Sequence, residues 1–374
     1  MQVCKPPVAR AGLALLILLL LSYPSMAQQT FDLGASLAAV EAYDDNVFFS
    51  AEAPEPDNIW RLSPRLSFDR RSPRLTLGGR YGVDAEWFRR HPSLNTPLAA
   101  QDASFEMSWI PSKRWTATTT ASYVDAQAAG ALNVLTGLEV GRRRARRFSA
   151  VQAFSWQAGV RTRAVLEQSF TRELMAGFPQ TDTQAVNLRL ERRLGGLDRV
   201  HFTYGARRFD ADVDPILSHV VTLGWTREVT SFAHFEFEAG PRLSQGTVGL
   251  ELAARLRHRF ARGEAGLGYV HTQTTVLGQV GPVTTRAVSA TFRRRLDSLT
   301  LVAEPAFARV LGQGSEFDVY RINLEVAWRL TRRLSLSASH QYSFQRGMPG
   351  PAQPVFEIAH NAFVLRMVAA SSGN

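Results

Sequence analysis

Residues 334–345 read LSLSASHQYSFQ. Leu334, Leu336, Ala338, Tyr342 and Phe344 share one parity, while Ser335, Ser337, Ser339, Gln341, Ser343 and Gln345 hold the other. A period of two predicts an extended strand with one apolar and one polar face. The pattern recurs along the chain. Trp60, Leu62, Pro64, Leu66 and Phe68 alternate with Arg61, Ser63, Arg65, Ser67 and Asp69. Leu75, Leu77, Tyr81, Val83 and Trp87 stand against Thr76, Arg80, Asp84 and Glu86. Val186, Leu188 and Leu190 oppose Asn187, Arg189 and Glu191. Val248, Leu250, Leu252, Leu256 and Phe260 oppose Glu251, Arg255, Arg257 and Arg259. Tyr320, Ile322, Leu324, Val326 and Trp328 oppose Arg321, Asn323, Glu325 and Arg329.

An export signal precedes these strands. Lys5 and Arg10 lead into an apolar run, Leu13 to Leu21, and then into Ser25, Met26 and Ala27. Small residues at the two positions a signal peptidase reads predict a signal peptide over residues 1–27. The run is short for a bilayer span, and no later stretch reaches eighteen consecutive apolar residues. Cleavage leaves one unit, residues 28–374, without low-complexity stretches or a proline-rich hinge. Alternating strands behind such a signal predict an all-β fold, a transmembrane antiparallel β-barrel in the cell outer membrane of a Gram-negative envelope.

Link lengths support this. Tight links lie at 111–114, 194–198, 261–263, 296–298 and 331–333, and longer polar ones at 44–57, 89–100, 126–146, 172–181 and 346–354. Short periplasmic turns alternating with long outer loops give that rhythm. Counting with it yields sixteen to eighteen strands, the first near Phe31 to Tyr43 and the last near Asn361 to Ala369. Trp109, Trp156, Trp225 and Trp328 sit just before short turns and Trp115 just after one. Indoles favour the lipid–water boundary, so these five are the expected periplasmic aromatic girdle. Tyr81, Trp87, Tyr123, Tyr342 and Phe344 are expected at the outer one. Arg294, His258 and His340 fall on the apolar parity; Arg294 and His258 adjoin turns, and His340 is the exception near mid-strand.

Charge changes the picture. Lys plus Arg is 43, yet the only lysines are Lys5 and Lys113, and the net charge of +10 falls by two with the signal. A basic protein suggests nucleic acid, but export and the scattering of arginines along strands exclude it. Arg65, Arg80, Arg189, Arg207, Arg255, Arg257, Arg259, Arg293, Arg321 and Arg329 lie on the polar parity and are expected to face the lumen. Rings of guanidinium favour anions in a pore. Asp69, Asp84, Glu86, Glu106, Glu191, Glu236, Glu238, Glu251 and Glu325 share that parity, so an ion-pair mesh is the competing expectation.

No catalytic constellation stands out. There is no Gly-x-Ser-x-Gly elbow and no paired-histidine or phosphate-cradling motif. The eight histidines are scattered without metal-ligand spacing, and Cys4 leaves with the signal. A non-enzyme without cofactor or metal is expected. Asp44, Asp45 and Asn46 alone do not make a calcium loop, which needs six to eight oxygens. Arg142, Arg143, Arg144, Arg146 and Arg147 are expected to be solvated in an outer loop, with lipopolysaccharide phosphates as the alternative contact.

The string Tyr43-Asp44-Asp45-Asn46-Val47-Phe48 just after the first strand resembles the beta-barrel porin 2 family. The resemblance implies an outer-membrane barrel of a kind often linked to exopolysaccharide or capsule production, and brings no functional residues with it. Two readings stand ahead of a third, a secreted soluble β-protein such as a lectin. One is a porin-like conduit for anionic solutes or exported exopolysaccharide. The other is a non-conducting scaffold or surface protein whose long loops bind partners in an envelope or polysaccharide machine. Expected partners are outer-membrane lipid and lipopolysaccharide, polysaccharide or anionic solutes, and periplasmic export proteins.

Overall fold

The computed structural model describes residues 30–211, 213–312, 314–348 and 355–371; the expected signal peptide lies outside them. The strands run in chain order as β1 Thr30–Asp44, β2 Asp57–Arg71, β3 Leu75–Phe88, β4 Thr96–Ser112, β5 Trp115–Ala126, β6 Ala145–Gln157, β7 Thr162–Met175, β8 Thr181–Arg193 and β9 Asp198–Ala211. They continue as β10 Val213–Glu228, β11 Ala233–Ser244, β12 Thr247–Phe260, β13 Gly263–Thr274, β14 Val283–Leu296, β15 Leu299–Leu311, β16 Glu316–Arg329, β17 Leu334–Met348 and β18 Phe356–Ala370. Among the described residues one 3-10 turn, Pro92–Leu94, lies between the strands.

Each strand pairs antiparallel with its chain neighbours, and β1 pairs with β18 from Ser36↔Ala370 to Asp44↔Ala362. Closure gives every strand a paired neighbour on each side and leaves no open sheet edge, which a lipid setting demands. The period of two decides the faces. Leu33, Leu66, Leu223 and Phe363 are more than half exposed on the outer wall. Such a band would be an aggregation hazard in water; around a closed barrel it is the lipid-facing belt, and it places the chain in the outer membrane.

His340 falls on this belt and is accommodated there. Its ring stacks on Phe363 with centroids 4.4 Å apart, and Nε2 lies 3.3 Å from Asn361 Oδ1. His258 lies beside Phe260 near the turn after β12. The link rhythm has two exceptions at the outer end: β9 ends at Ala211 and β10 begins at Val213, and β11 and β12 are joined by Gln245 and Gly246 alone, the latter pair with φ of 49° and 75°. Two positive φ values match the right-handed twist of the flanking strands, so this hairpin needs no long loop.

Buried apolar residues collect inside the outer end of the barrel. One cluster holds Ala129, Leu132, Ala145, Met175 and Leu277; a second holds Leu138, Val276, Val283, Val310, Phe317 and Val319. A third joins Val47, Ile59 and Phe88. The string 43–48 gives this last one Val47, with Phe48 packed against it, and fastens the closing seam. Asp45 accepts bonds from Asn361 N and Nδ2, both at 2.7 Å, and Asn46 donates to Ser50 O and Ala359 O. Asp44 Oδ1 lies 3.0 Å from His360 Nε2. The acidic pair thus spends its oxygens on β18.

Candidate functional site: the lumen and the loop across its outer mouth

The link between β5 and β6, residues 127–144, folds inward. It carries Leu132, Val134, Leu135, Leu138 and Val140. Leu132 and Leu138 are buried, each gaining about 1.5–3 kcal/mol. The segment crosses the mouth. Asn133 exchanges two hydrogen bonds with the backbone of Leu277, which follows β13 and lies half-way round the eighteen-strand ring. Gln345 on β17 does the same for Glu139: its amide donates to Glu139 O at 2.8 Å and accepts from Glu139 N at 3.0 Å. Arg321 on β16 donates to Val134 O at 3.0 Å. Gly137, at φ 66°, lies where a Cβ would collide with the Arg321 side chain.

The arginines of this link and of the start of β6 differ from expectation. They are paired, because the segment that carries them is packed against the barrel. Arg142 donates to Glu86 at 3.1 Å and covers the Phe88 ring. Arg144 makes two 2.8 Å bonds to Asp125, and Arg146 a third at 3.1 Å. Arg147 bonds Glu173 and Leu132 O. Arg143 reaches Ala176 O and the Phe178 ring. Glu139 is the one acid within the link. Burial pushes its carboxyl up to about 7, against the opposing pull of the Gly130 amide, His360 and Arg321, and its Oε2 has no partner.

The ten arginines expected to face the lumen lie on inward-facing positions of their strands, and they divide by height. In the outer and middle lumen they are engaged. Arg65 pairs with Asp84 at 3.2 Å and with Asp102. Arg189 lies 3.5 Å from Glu236 and 3.0 Å from His201 Nδ1. Arg207 and Arg242 share Glu251, at 3.4 and 2.9 Å. Arg321 holds the link, and Arg255, itself 71% exposed, only approaches Glu236 at 3.9 Å. Arg80, Arg257, Arg259, Arg293 and Arg329 make no ion pair among the described residues. Arg257 and Arg259, Arg293 and Arg329 lie at the short-turn ends of β12, β14 and β16. Glu264 stands between Arg259 and Arg293 in the strand register without pairing to either.

Trp109, Trp115, Trp156, Trp225 and Trp328 all sit on the outward face at this short-turn end, each 38–48% exposed. Trp115 and Trp156 are register partners and stack at 5.8 Å. Trp225 Nε1 donates to Asp198 at 3.0 Å. Beside the inward link a cleft of about 340 Å³ with a mixed polar and apolar lining remains, between Asn133–Thr136 and the wall residues Arg147, Ser149, Thr171, Glu173 and Thr183.

Asn133, Glu139 and Gln345 were not singled out by sequence pattern. The available signal was the set of apolar residues within the link.

No family model and no curated protein matches the chain. Among solved structures, OccAB4 of Acinetobacter baumannii is similar with a TM-score of 0.47 and 9% identity, over 92% of this chain and 99% of that one. OpdQ of Pseudomonas aeruginosa gives 0.48 and 9%, over 91% and 98%. The siderophore receptor PirA from Pseudomonas aeruginosa gives 0.43 and 11%, over 92% and 81%.

Proposed function

We propose that this barrel is a porin-like channel that passes anionic solutes, narrowed at its outer mouth by residues 127–144 and drawing anions through a basic inner vestibule. An eighteen-stranded barrel is wide enough for an aqueous lumen. One observation supports the anion reading above the rest: carboxylates pair with the outer luminal arginines, while Arg257, Arg259, Arg293 and Arg329 at the inner end make no ion pair among the described residues and outnumber Glu264, the carboxylate between them in register. Unpaired guanidinium groups within low-dielectric walls concentrate counter-ions. The five tryptophans fit a periplasmic girdle, which sets the barrel's height in the bilayer.

Exported exopolysaccharide is a second reading of the same lumen. Its support is the inward face of β17, where Ser335, Ser337, Ser339, Gln341 and Ser343 offer hydroxyl and amide groups to sugars, together with the resemblance at residues 43–48.

The test is the reversal potential of the refolded protein in a planar bilayer under a salt gradient, with and without R257S/R259S/R293S. The triple change should move an anion preference toward parity without loss of insertion. Unchanged selectivity would remove the arginines from the account, and insertion without conductance would favour the scaffold reading.

A further inference from the structure

The lipid-facing wall of β14–β17 contains an apolar hollow of about 420 Å³, lined by Ala290, Pro305, Phe307, Tyr320, Ile322 and Tyr342. Two features produce it. Ala290 offers only a methyl group, and Pro305 has no N–H for the ladder. The register of β14 on β15 accordingly runs to Ser289↔Ala306 and resumes at Phe292↔Ala303.

A row of charge stands directly above. Arg286, Arg309, Asp318, Arg346 and Glu357 are successive register partners on β14 to β18. They lie on the outward face, two residues nearer the outer end than Val288, Phe307, Tyr320 and Phe344. Two residues of strand are about 7 Å. Arg309 is held by Asp318 through bonds of 2.6 and 2.8 Å, with Glu316 at 3.6 Å, and Arg346 lies 3.5 Å from Glu357. Arg286 is exposed and makes no ion pair among the described residues. His271 is its register partner on β13.

We infer that hollow and row together bind one lipid of the outer leaflet, a phosphorylated and acylated glycolipid, with an acyl chain in the hollow and its headgroup along the row. The free Arg286 and the exposed edge of Arg346 take phosphate oxygens, for which a guanidinium fork is suited. Asp318, Glu316 and Glu357 are acceptors and would repel a bare anion; sugar hydroxyls supply the donors they need. The row spans four inter-strand steps, about 19 Å, a width that suits a phosphorylated disaccharide and exceeds one phospholipid headgroup. Arg142, Arg144, Arg146 and Arg147 are committed to carboxylates elsewhere, and Arg143 to Ala176 O and the Phe178 ring, so they do not compete for this lipid. The site is independent of whether the lumen conducts.

Native mass spectrometry of the refolded full chain in detergent tests this, with bisphosphorylated lipid A and phosphatidylethanolamine as separate probes. One lipid A should be retained per barrel, in preference to phosphatidylethanolamine. R286S/R346S should lower the retained fraction at least fivefold, and so should A290W, which fills the hollow while keeping the charge. R255S, on the luminal face, should retain lipid A as before and serves as the folding control. Equal retention of the two probes, or retention of lipid A undiminished in both variants, would overturn the site and leave only unspecific annular lipid.

Discussion

Asn133 and Leu277 are joined by two hydrogen bonds, Leu277 N to Asn133 Oδ1 at 2.9 Å and Asn133 Nδ2 to Leu277 O at 3.1 Å. One side chain thus imitates a strand partner for a residue on the opposite side of the barrel. A third bond, from Nδ2 to Leu138 O at 2.8 Å, ties the same amide to its own segment. Gln345 repeats the device at Glu139. The segment over the mouth is held by amide clamps on facing walls.

Loss of one clamp should loosen the mouth. N133A removes bonds from a site where both partners are buried, a cost of about 1–3 kcal/mol. The wider state should therefore gain roughly 5- to 150-fold in population. Single-channel records should show more frequent or larger open levels, and removal of residues 130–141 should fix the larger level. Equal conductance in wild type and deletion would show that the segment does not limit the pore.

Glu139 makes that state dependent on pH. Its carboxyl stands at about 7 when buried and near 4.3 when exposed. The docked segment therefore keeps its full stability below about pH 4. That stability falls as pH rises, by on the order of 3 kcal/mol once pH exceeds 7. Open-state occupancy should be greater at pH 8 than at pH 5, and E139Q should flatten the dependence. A pH response of the same size in E139Q would assign it to another group.

Asn46 tests the closing seam. Its amide is buried and bonds to Ser50 at both ends and to Ala359 O on β18. N46A should cost about 1–3 kcal/mol, read as a lower temperature for the loss of folded-barrel migration on gels. Ion selectivity should not change, because the residue lies away from the inner vestibule.

The wall was legible before the fold was known, and the mouth was not. Alternation is local: Leu324 and Glu325 face opposite ways whatever else the chain does, so strands, faces and turns follow from period two. Even His340 sat on the predicted face, its stacking partner Phe363 arriving from the next strand. The inward link is non-local. Asn133 meets Leu277 across 144 positions and Glu139 meets Gln345 across 206, and no short-range pattern joins them. The charges of Arg142 to Arg147 suggested a solvated segment because the acids that neutralise them, Glu86, Asp125 and Glu173, lie on three separate strands. The apolar residues 132–140 pointed the other way, since apolar side chains beyond the lipid belt need protein to cover them.

The inner vestibule is the central claim, and reversal potential under a tenfold salt gradient tests it most directly. Wild-type protein in a planar bilayer should conduct in stable steps with a reversal potential shifted toward that of chloride. A shift toward that of the cation, or faithful insertion with no conductance at all, would contradict the account.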